Sequence, residues 1–320
     1  MDKAKLRVAE IPPDLAGRRL DQALAVLFPD VTRSQLQQWI ADGRVSLGDR
    51  LPRKRDKVAG GERVEIRVPP PAAGAWAAEP LPLEVVYEDE SLLVVDKPAG
   101  LVVHPGAGNP QGTLLNALLH HAPGLARLPR AGIVHRLDKD TSGLLVVAKN
   151  ERARQYLIRG LAARRIRREY IAVVHGVVIA GGTVEAPIGR HRVERTRMAV
   201  TERGRAAVSH YRVMRKYRAH TLVQVSLESG RTHQIRVHMA HLKFPVVGDP
   251  VYGGRLRIPA GASPRLAELL RGFKRQALHA AKLSLVHPDT GEEVRWAASV
   301  PPDMSELMEA LAADAKQNAE

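Results

Sequence analysis

The residues best suited to chemistry in this 320-residue chain lie in AGIVHRLDKDTSGLLVVAKN (131–150). There His135, Arg136 and Lys139 crowd Asp138 and Asp140 between two apolar runs. Cations that close favour the carboxylate form, so such an aspartate serves as a base or nucleophile and not as an acid. A polar loop between strand-like runs belongs at a sheet edge or a cleft. The same spacing also suits a capping, salt-bridged loop with no chemical task. A second cluster, LESGRTHQIRVHMAHLKFPVVGDPVYG (227–253), holds Arg231, Arg236, His233, His238 and His241. Three histidines invite a metal hydrolase, but on a helix only His238 and His241 share a face. HxxH without a carboxylate ligand is a poor zinc site, so no metal is expected. A third stretch, RRIRREY (164–170), sets Arg167, Arg168 and Tyr170 at the start of an apolar strand.

Bulk properties narrow the partner. Lys and Arg number 49 against 34 Asp and Glu, a net charge of +15, which points to a polyanion. Residues 151–218 alone carry seventeen Lys and Arg, sixteen of them arginine, against five acids. Guanidinium forks bind phosphate bidentately and stack on bases, which favours RNA. With aromatics at 4%, a sheet of stacking aromatics is not the means of binding. No apolar run approaches the roughly 18 residues of a bilayer span, and the first residues lack the apolar stretch of a secretory signal. A cytoplasmic protein is expected, and the absence of cysteine excludes disulfide and thiolate chemistry.

The elements that position these residues fall into two groups. Residues 18–28 space Leu20, Ala23, Leu24, Leu27 and Phe28 as an amphipathic helix. Thr32 reads as the N-cap of a second helix carrying Leu36, Trp39 and Ile40, which Gly43 stops. A strand at Val45–Leu47, a basic loop and an alternating strand through Val64, Ile66 and Val68 complete a small α/β module, residues 1–70. The Pro/Ala-rich residues 71–83 read as a semi-rigid linker. Residues 84–312 alternate short β runs with helices, including Thr113–His121, and end in two hairpins, 207–215 with 220–228 and 278–287 with 293–299. Pro288-Asp289-Thr290-Gly291 supplies the turn of the second. The expected class is α+β, a mixed, mainly antiparallel sheet flanked by helices, with a C-terminal tail at 313–320. LLVVDK (92–97) and LLVVAK (144–149) differ at one position. Six residues do not establish a repeat, because buried strands draw on few residue types.

Two resemblances give these patterns a meaning. RLDQALAVLF, SQLQQWIADGRVSL and GGERVEIRV resemble the S4 RNA-binding domain, although Gly48-Asp49-Arg50 stands where that family carries Asn-Gly-Lys. HRLDKDTSGLLVVAK resembles the signature of the RluA-type pseudouridine synthases. REYIAVVHG (168–176), LESGRTHQIRVHMAHLKFPVVGDPVYG and RQALHAAKLSLVHP (275–288) follow in order. DKPAGLVVHPGAGNPQGTLLNALLHH (96–121) is most similar to the branch that modifies the domain IV stem-loop, helix 69, of 23S rRNA.

The resemblance implies a pseudouridine synthase fold and an enzyme that isomerises uridine without cofactor, redox change or hydrolysis. Asp138 would be the catalytic carboxylate and Arg231 its guanidinium partner, with Thr232 capping the helix that follows. Tyr170 would pack on the target uracil, and Arg136 would fill the space left by the extruded nucleotide. His135, Lys139, Thr141, Arg167, Arg168, Gln234, Arg236 and His279 are expected to bind substrate. The implied partner is 23S rRNA or a precursor of the large ribosomal subunit, with no membrane, and the chain is expected to act as a monomer. A non-catalytic rRNA-binding assembly factor would share every charge feature and differ only in giving Asp138 no chemical task. A hydrolytic RNA glycosidase would release free uracil.

Overall fold

The computed structural model describes residues 5–29, 31, 33–68, 76–106, 108–194 and 197–318. The chain divides into two compact units, Met1–Ala75 and Trp76–Glu320.

In the first unit β1 (Lys5–Glu10) is followed by α1 (Leu20–Leu27), α2 (Arg33–Ala41), β2 (Val45–Leu47) and β3 (Arg63–Val68). The three strands form an antiparallel sheet in the order β1-β3-β2. Leu20, Leu24, Leu36, Val45, Val64 and Ile66 are wholly buried in one core, as the helical and alternating spacings require. Gly43 ends α2 in the left-handed conformation, φ 67°. Its N–H donates to Ile40 and that of Arg44 to Trp39, which satisfies the last carbonyls of the helix. Thr32 lies outside the described residues. The sequence reading missed β1, whose polar residues alternate weakly.

The second unit contains β4 (Glu84–Glu88), β5 (Leu92–Lys97), α3 (Leu114–His121), β6 (Ser142–Ala148), α4 (Glu151–Ala162), β7 (Arg167–His175) and β8 (Gly182–Glu185). The short pair β9 (Ile188–Arg190) and β10 (Met198–Val200) precedes β11 (Val208–Lys216), β12 (His220–Leu227), α5 (Gln234–His241), α6 (Pro264–Gly272), β13 (Leu278–Val286), β14 (Glu293–Ala297) and α7 (Pro302–Gln317). Among the described residues nine strands form one sheet, ordered β4-β5-β6-β13-β7-β12-β11-β8 with β14 on β13. Both expected hairpins are present. In β5, Leu93 and Val95 pack with α3 on one face, while Leu92 and Val94 pack with α4 on the other. Burial on both faces is why LLVVDK and LLVVAK read as unbroken apolar runs; the two are antiparallel neighbours, Leu92 opposite Ala148. His175 and His220, cross-strand partners, are both buried.

Two boundaries differ from the sequence reading. Residues 71–75 of the expected linker lie outside the described residues. The part that follows belongs to the second unit, because Asn116 Nδ2 of α3 donates to the Ala77 carbonyl at 2.7 Å and Glu79 N–H donates to the Asn116 carbonyl. At the other end α7 continues past residue 312, since Leu311 and Asp314 are buried and Asp314 pairs with Arg218 at 3.0 Å.

One pairing matters most for the site. β13 runs parallel to β6 over His279–Ser142 and Ala280–Gly143, whereas all other pairings between the named strands are antiparallel. Gly143 adopts φ 114°, and a Cβ there would lie 2.6 Å from the Ala280 nitrogen. Only glycine admits that approach. Gly143→Ala is expected to cost about 4 kcal/mol or more, through backbone overlap. Gly124→Ala, which meets nothing within 4 Å, should stay within about 0.5 kcal/mol of the parent; denaturant unfolding of both variants reads the difference.

Candidate active site

Asp138 lies in the loop that leads into β6, and five contacts fix that loop. His135 Nε2 accepts the Val146 N–H at 3.0 Å. The Asp138 carbonyl accepts from Thr141 N–H, and Thr141 Oγ1 accepts from Gln276 Nε2 at 3.0 Å. The Lys139 carbonyl accepts from Gly100 N–H and from Lys97 Nζ at 2.9 Å. Lys97 ends β5 fully buried and also donates to the carbonyls of Pro98 and Leu101. Burial pulls its ammonium down to about 8, against the pull of Asp140 and Asp138. The loop is therefore preset by backbone and buried polar contacts.

Upstream of it, Arg130 and Ala131 adopt φ 55° and 50°, and Gly132 follows at 77°. Two consecutive non-glycine residues in the left-handed region store strain, which is characteristic of functional sites. A Cβ on Gly132 would overlap the Ala148 carbonyl, so the turn is pressed directly onto β6.

The guanidinium that meets Asp138 belongs to Arg236, which corrects the expectation of Arg231. Arg236 Nη1 donates to Asp138 Oδ2 at 2.9 Å, while its Nε and Nη2 grip Asp249 at 2.6 and 2.9 Å. Asp249 is completely buried on its side chain; it also accepts the N–H groups of Val251 and Tyr252. Although burial opposes the charge, the two carboxylates hold the Arg236 guanidinium firmly protonated. The reason for the exchange lies in where α5 begins. Its N-cap is His233 in the left-handed conformation, with no side-chain cap bond, so Thr232 does not cap it. The Gln234 side chain instead accepts from Arg231 N–H at 3.0 Å and Ser229 Oγ at 2.8 Å. Arg231 is left before that turn, with Nε donating to the Ala206 carbonyl. Arg236, in the first turn of the helix, faces Asp138.

Asp138 sits in a cleft of about 870 Å³, lined also by Arg130, Arg136, Arg164, Arg168, Arg205, Arg231 and Tyr170. Most of the expected residues converge there. Tyr170, 5% exposed, lines it from β7, and burial raises its hydroxyl pKa, so the phenol stays neutral. Arg136 is exposed on the loop, Arg168 is buried two residues before Tyr170 on the same strand face, and Thr141 and Gln234 line the wall. His135 lines it too; burial, with Arg168 nearby, pushes its imidazole down to about 3. Because Nε2 accepts an N–H, the proton of His135 resides on Nδ1.

Three expected residues are not brought to the cleft. Arg167 is exposed on the opposite face of β7, a consequence of the two-residue period of a strand. The Lys139 side chain is exposed outside the lining and only its carbonyl serves the loop. His279 is buried behind β6, with Nδ1 against Ser142 Oγ at 3.0 Å.

The sequence reading also left functional neighbours without a role. His233 Nε2 lies 3.9 Å from Asp138 Oδ1, and its Nδ1 meets the Tyr252 hydroxyl at 2.8 Å. Burial lowers the His233 pKa, against the pull of Asp138. The histidine weighed as its metal-binding companion, His238, is occupied by Ser209 Oγ and the Ala186 carbonyl. Lys97 had a legible signal, a lysine closing an otherwise apolar strand; Asp249 had none beyond its place in GDP.

Comparison with known proteins identifies the family. The profile of the RNA pseudouridylate synthase family matches residues 91–241, and that of the S4 domain residues 18–64. The chain is 54% identical over 317 residues to a ribosomal large subunit pseudouridine synthase D of Xanthomonas campestris pv. campestris, covering 99% of this chain and 96% of that protein. Identity to the protein so named in Pseudomonas aeruginosa is 55%, covering 96% of each chain. The structure of human RNA pseudouridylate synthase domain containing 4 superposes with a TM-score of 0.57 at 26% identity, over 72% of this chain and 93% of that one. The chain belongs to the RNA pseudouridylate synthase family, as an isomerase with an S4 domain at its N-terminus.

Breaking the Arg236 network strands a buried carboxylate. Arg236→Gln is expected to destabilise the protein by about 3–5 kcal/mol, and Arg231→Gln by less than about 1 kcal/mol, measured by denaturant unfolding. Four histidines are held neutral by burial, His135 near 3 and His104, His175 and His220 near 4. The unfolded chain takes up protons below about pH 6.5 that the folded chain refuses, so stability must fall as pH drops from about 6.5 toward 4. The expected loss is about 1–2 kcal/mol per histidine between pH 7 and 5; equal unfolding free energies at the two pH values would refute it.

Proposed function

We propose that this enzyme converts uridine to pseudouridine in 23S ribosomal RNA, in the domain IV stem-loop known as helix 69, with Asp138 as the catalytic carboxylate. The name its relatives carry, ribosomal large subunit pseudouridine synthase D, supports the substrate class. The observation that carries the reading is Asp138 held at 2.9 Å by Arg236 in an arginine-lined cleft.

A uridine in a stem-loop must leave its stack before C1′ can be reached. Phosphate contacts to Arg130, Arg164, Arg205 and Arg231 offset the few kcal/mol this costs, and Arg136, exposed beside Asp138, fills the vacated space. The uracil then lies on Tyr170, whose neutral hydroxyl can donate to the sugar. Arg236 occupies Oδ2, so Oδ1 is the oxygen that works on the nucleotide. The N1–C1′ bond breaks, the uracil turns, C5 bonds to C1′, and the C5 proton leaves while N1 gains one. Atoms are conserved, and neither oxidant nor cofactor enters. Asp138 does its part as a nucleophile at C1′, by addition to the ring, or by taking a sugar proton. The enzyme acts as a monomer on rRNA or a large-subunit precursor.

The test is Asp138→Asn. Conversion, scored by carbodiimide-adduct primer extension on rRNA, is expected to fall more than about 10³-fold, with RNA affinity within about threefold of the parent. Unchanged conversion would remove Asp138 from the mechanism. Should the parent itself bind rRNA without modifying any uridine, the chain would be a binding protein of ribosome assembly.

A further inference from the structure

The cleft carries an aromatic that neither the reaction nor the family motifs quoted above employ. The chain has three tryptophans. Trp39 is 6% exposed in the core of the first unit, and Trp296 packs on Tyr87 with ring centroids 5.2 Å apart. Trp76 is different: it is 39% exposed and lines the cleft that holds Asp138. Its backbone neighbourhood is tied to α3. Asn116, wholly buried, donates to the Ala77 carbonyl. The Glu79 carboxylate accepts the Gly112 N–H at 3.1 Å. An indole on a fixed stem loses little conformational freedom on meeting a ligand.

Other groups lining the same cleft suit a nucleobase. His104 lines it, and its Nε2 is buried without a hydrogen-bond partner among the described residues. Burial and the neighbouring Arg130 and Arg136 push that imidazole down to about 4, so it stays neutral and offers one donor and one acceptor. Arg130, set on its strained turn, and Arg136 supply cations for the adjoining phosphates. An apolar ring face, an uncommitted ring nitrogen and two guanidinium groups are what single-stranded RNA recognition uses.

We infer that Trp76 is a stacking platform for a second unpaired base, next to the target uridine in the RNA loop, whose edge meets His104. Tyr170 takes the target itself. This second site rests on the proposed function for its RNA and adds to it a means of choosing which loop nucleotide enters.

The test uses the full chain, a domain IV stem-loop RNA, and the variants Trp76→Ala, Trp76→Leu and Trp76→Phe. A single base–aromatic stack is worth roughly 5- to 100-fold in affinity. Trp76→Ala and Trp76→Leu should therefore raise KM and the titrated Kd by roughly that factor with kcat lowered less than about threefold, while Trp76→Phe stays within about threefold of the parent in both. Binding of the RNA should quench tryptophan fluorescence of the parent, and most of that quench should vanish in Trp76→Phe. A leucine variant that binds as well as the phenylalanine variant would overturn stacking, as would an alanine variant with unaltered Kd. If the parent binds the stem-loop but converts no uridine, the proposed function fails and the titration alone still decides the role of Trp76.

Discussion

A single guanidinium divided between two carboxylates is the constraint on which the active site depends. Arg236 is almost wholly buried, between a fully buried Asp249 and a half-buried Asp138. Removing such charges from water costs several kcal/mol per ion, and the cost is recovered only when every donor finds an acceptor. Asp249 meets that condition by accepting two backbone N–H groups besides the arginine, and the Tyr252 ring covers the guanidinium at 5.0 Å. The arrangement fixes one oxygen of Asp138 and leaves the other toward the cleft. The Asp138 carboxylate is thus oriented by the protein alone, with no reorganisation needed to set its direction.

Around that pair the protein separates permanent from withheld charge. Arginines line the cleft, whereas His104 and His135 are kept neutral by burial beside some of those same arginines. A neutral imidazole adds hydrogen bonds without competing for Asp138, and a neutral Tyr170 can lie against a base as an uncharged ring. Lys97 is the exception. It is a buried cation whose three protons are spent on three carbonyls, which makes it a clamp between the end of β5 and the loop that carries Asp138.

Local features were legible because the physics that sets them lies between neighbouring residues. The helix from Leu20, the stop at Gly43, the hairpin at Pro288–Gly291 and the doubly buried β5 and β6 follow from periodicity and turn chemistry. The long HRLDKD string placed Asp138 in a cleft for the same reason. Which of two arginines five positions apart would meet it depended on a left-handed residue at 233 that shifts the start of α5, and no propensity marks His233 for that conformation. Arg167 was misplaced because two adjacent strand residues cannot face one cleft. His279 was misplaced because a motif histidine looks the same whether it meets substrate or packs behind a strand. Trp76 lay in a stretch whose composition reads as a connector, and the contact of the next residue, Ala77, with α3 spans 39 residues.

The parallel seam between β6 and β13 also sets a timetable. Ser142 and His279 stand 137 positions apart, so during translation the loop bearing the aspartate leaves the ribosome long before the strand that braces it exists. The amino-terminal module needs nothing beyond its own first 68 residues. A growing chain can therefore complete its RNA-gripping hand early, while its chisel stays unassembled until synthesis is nearly finished.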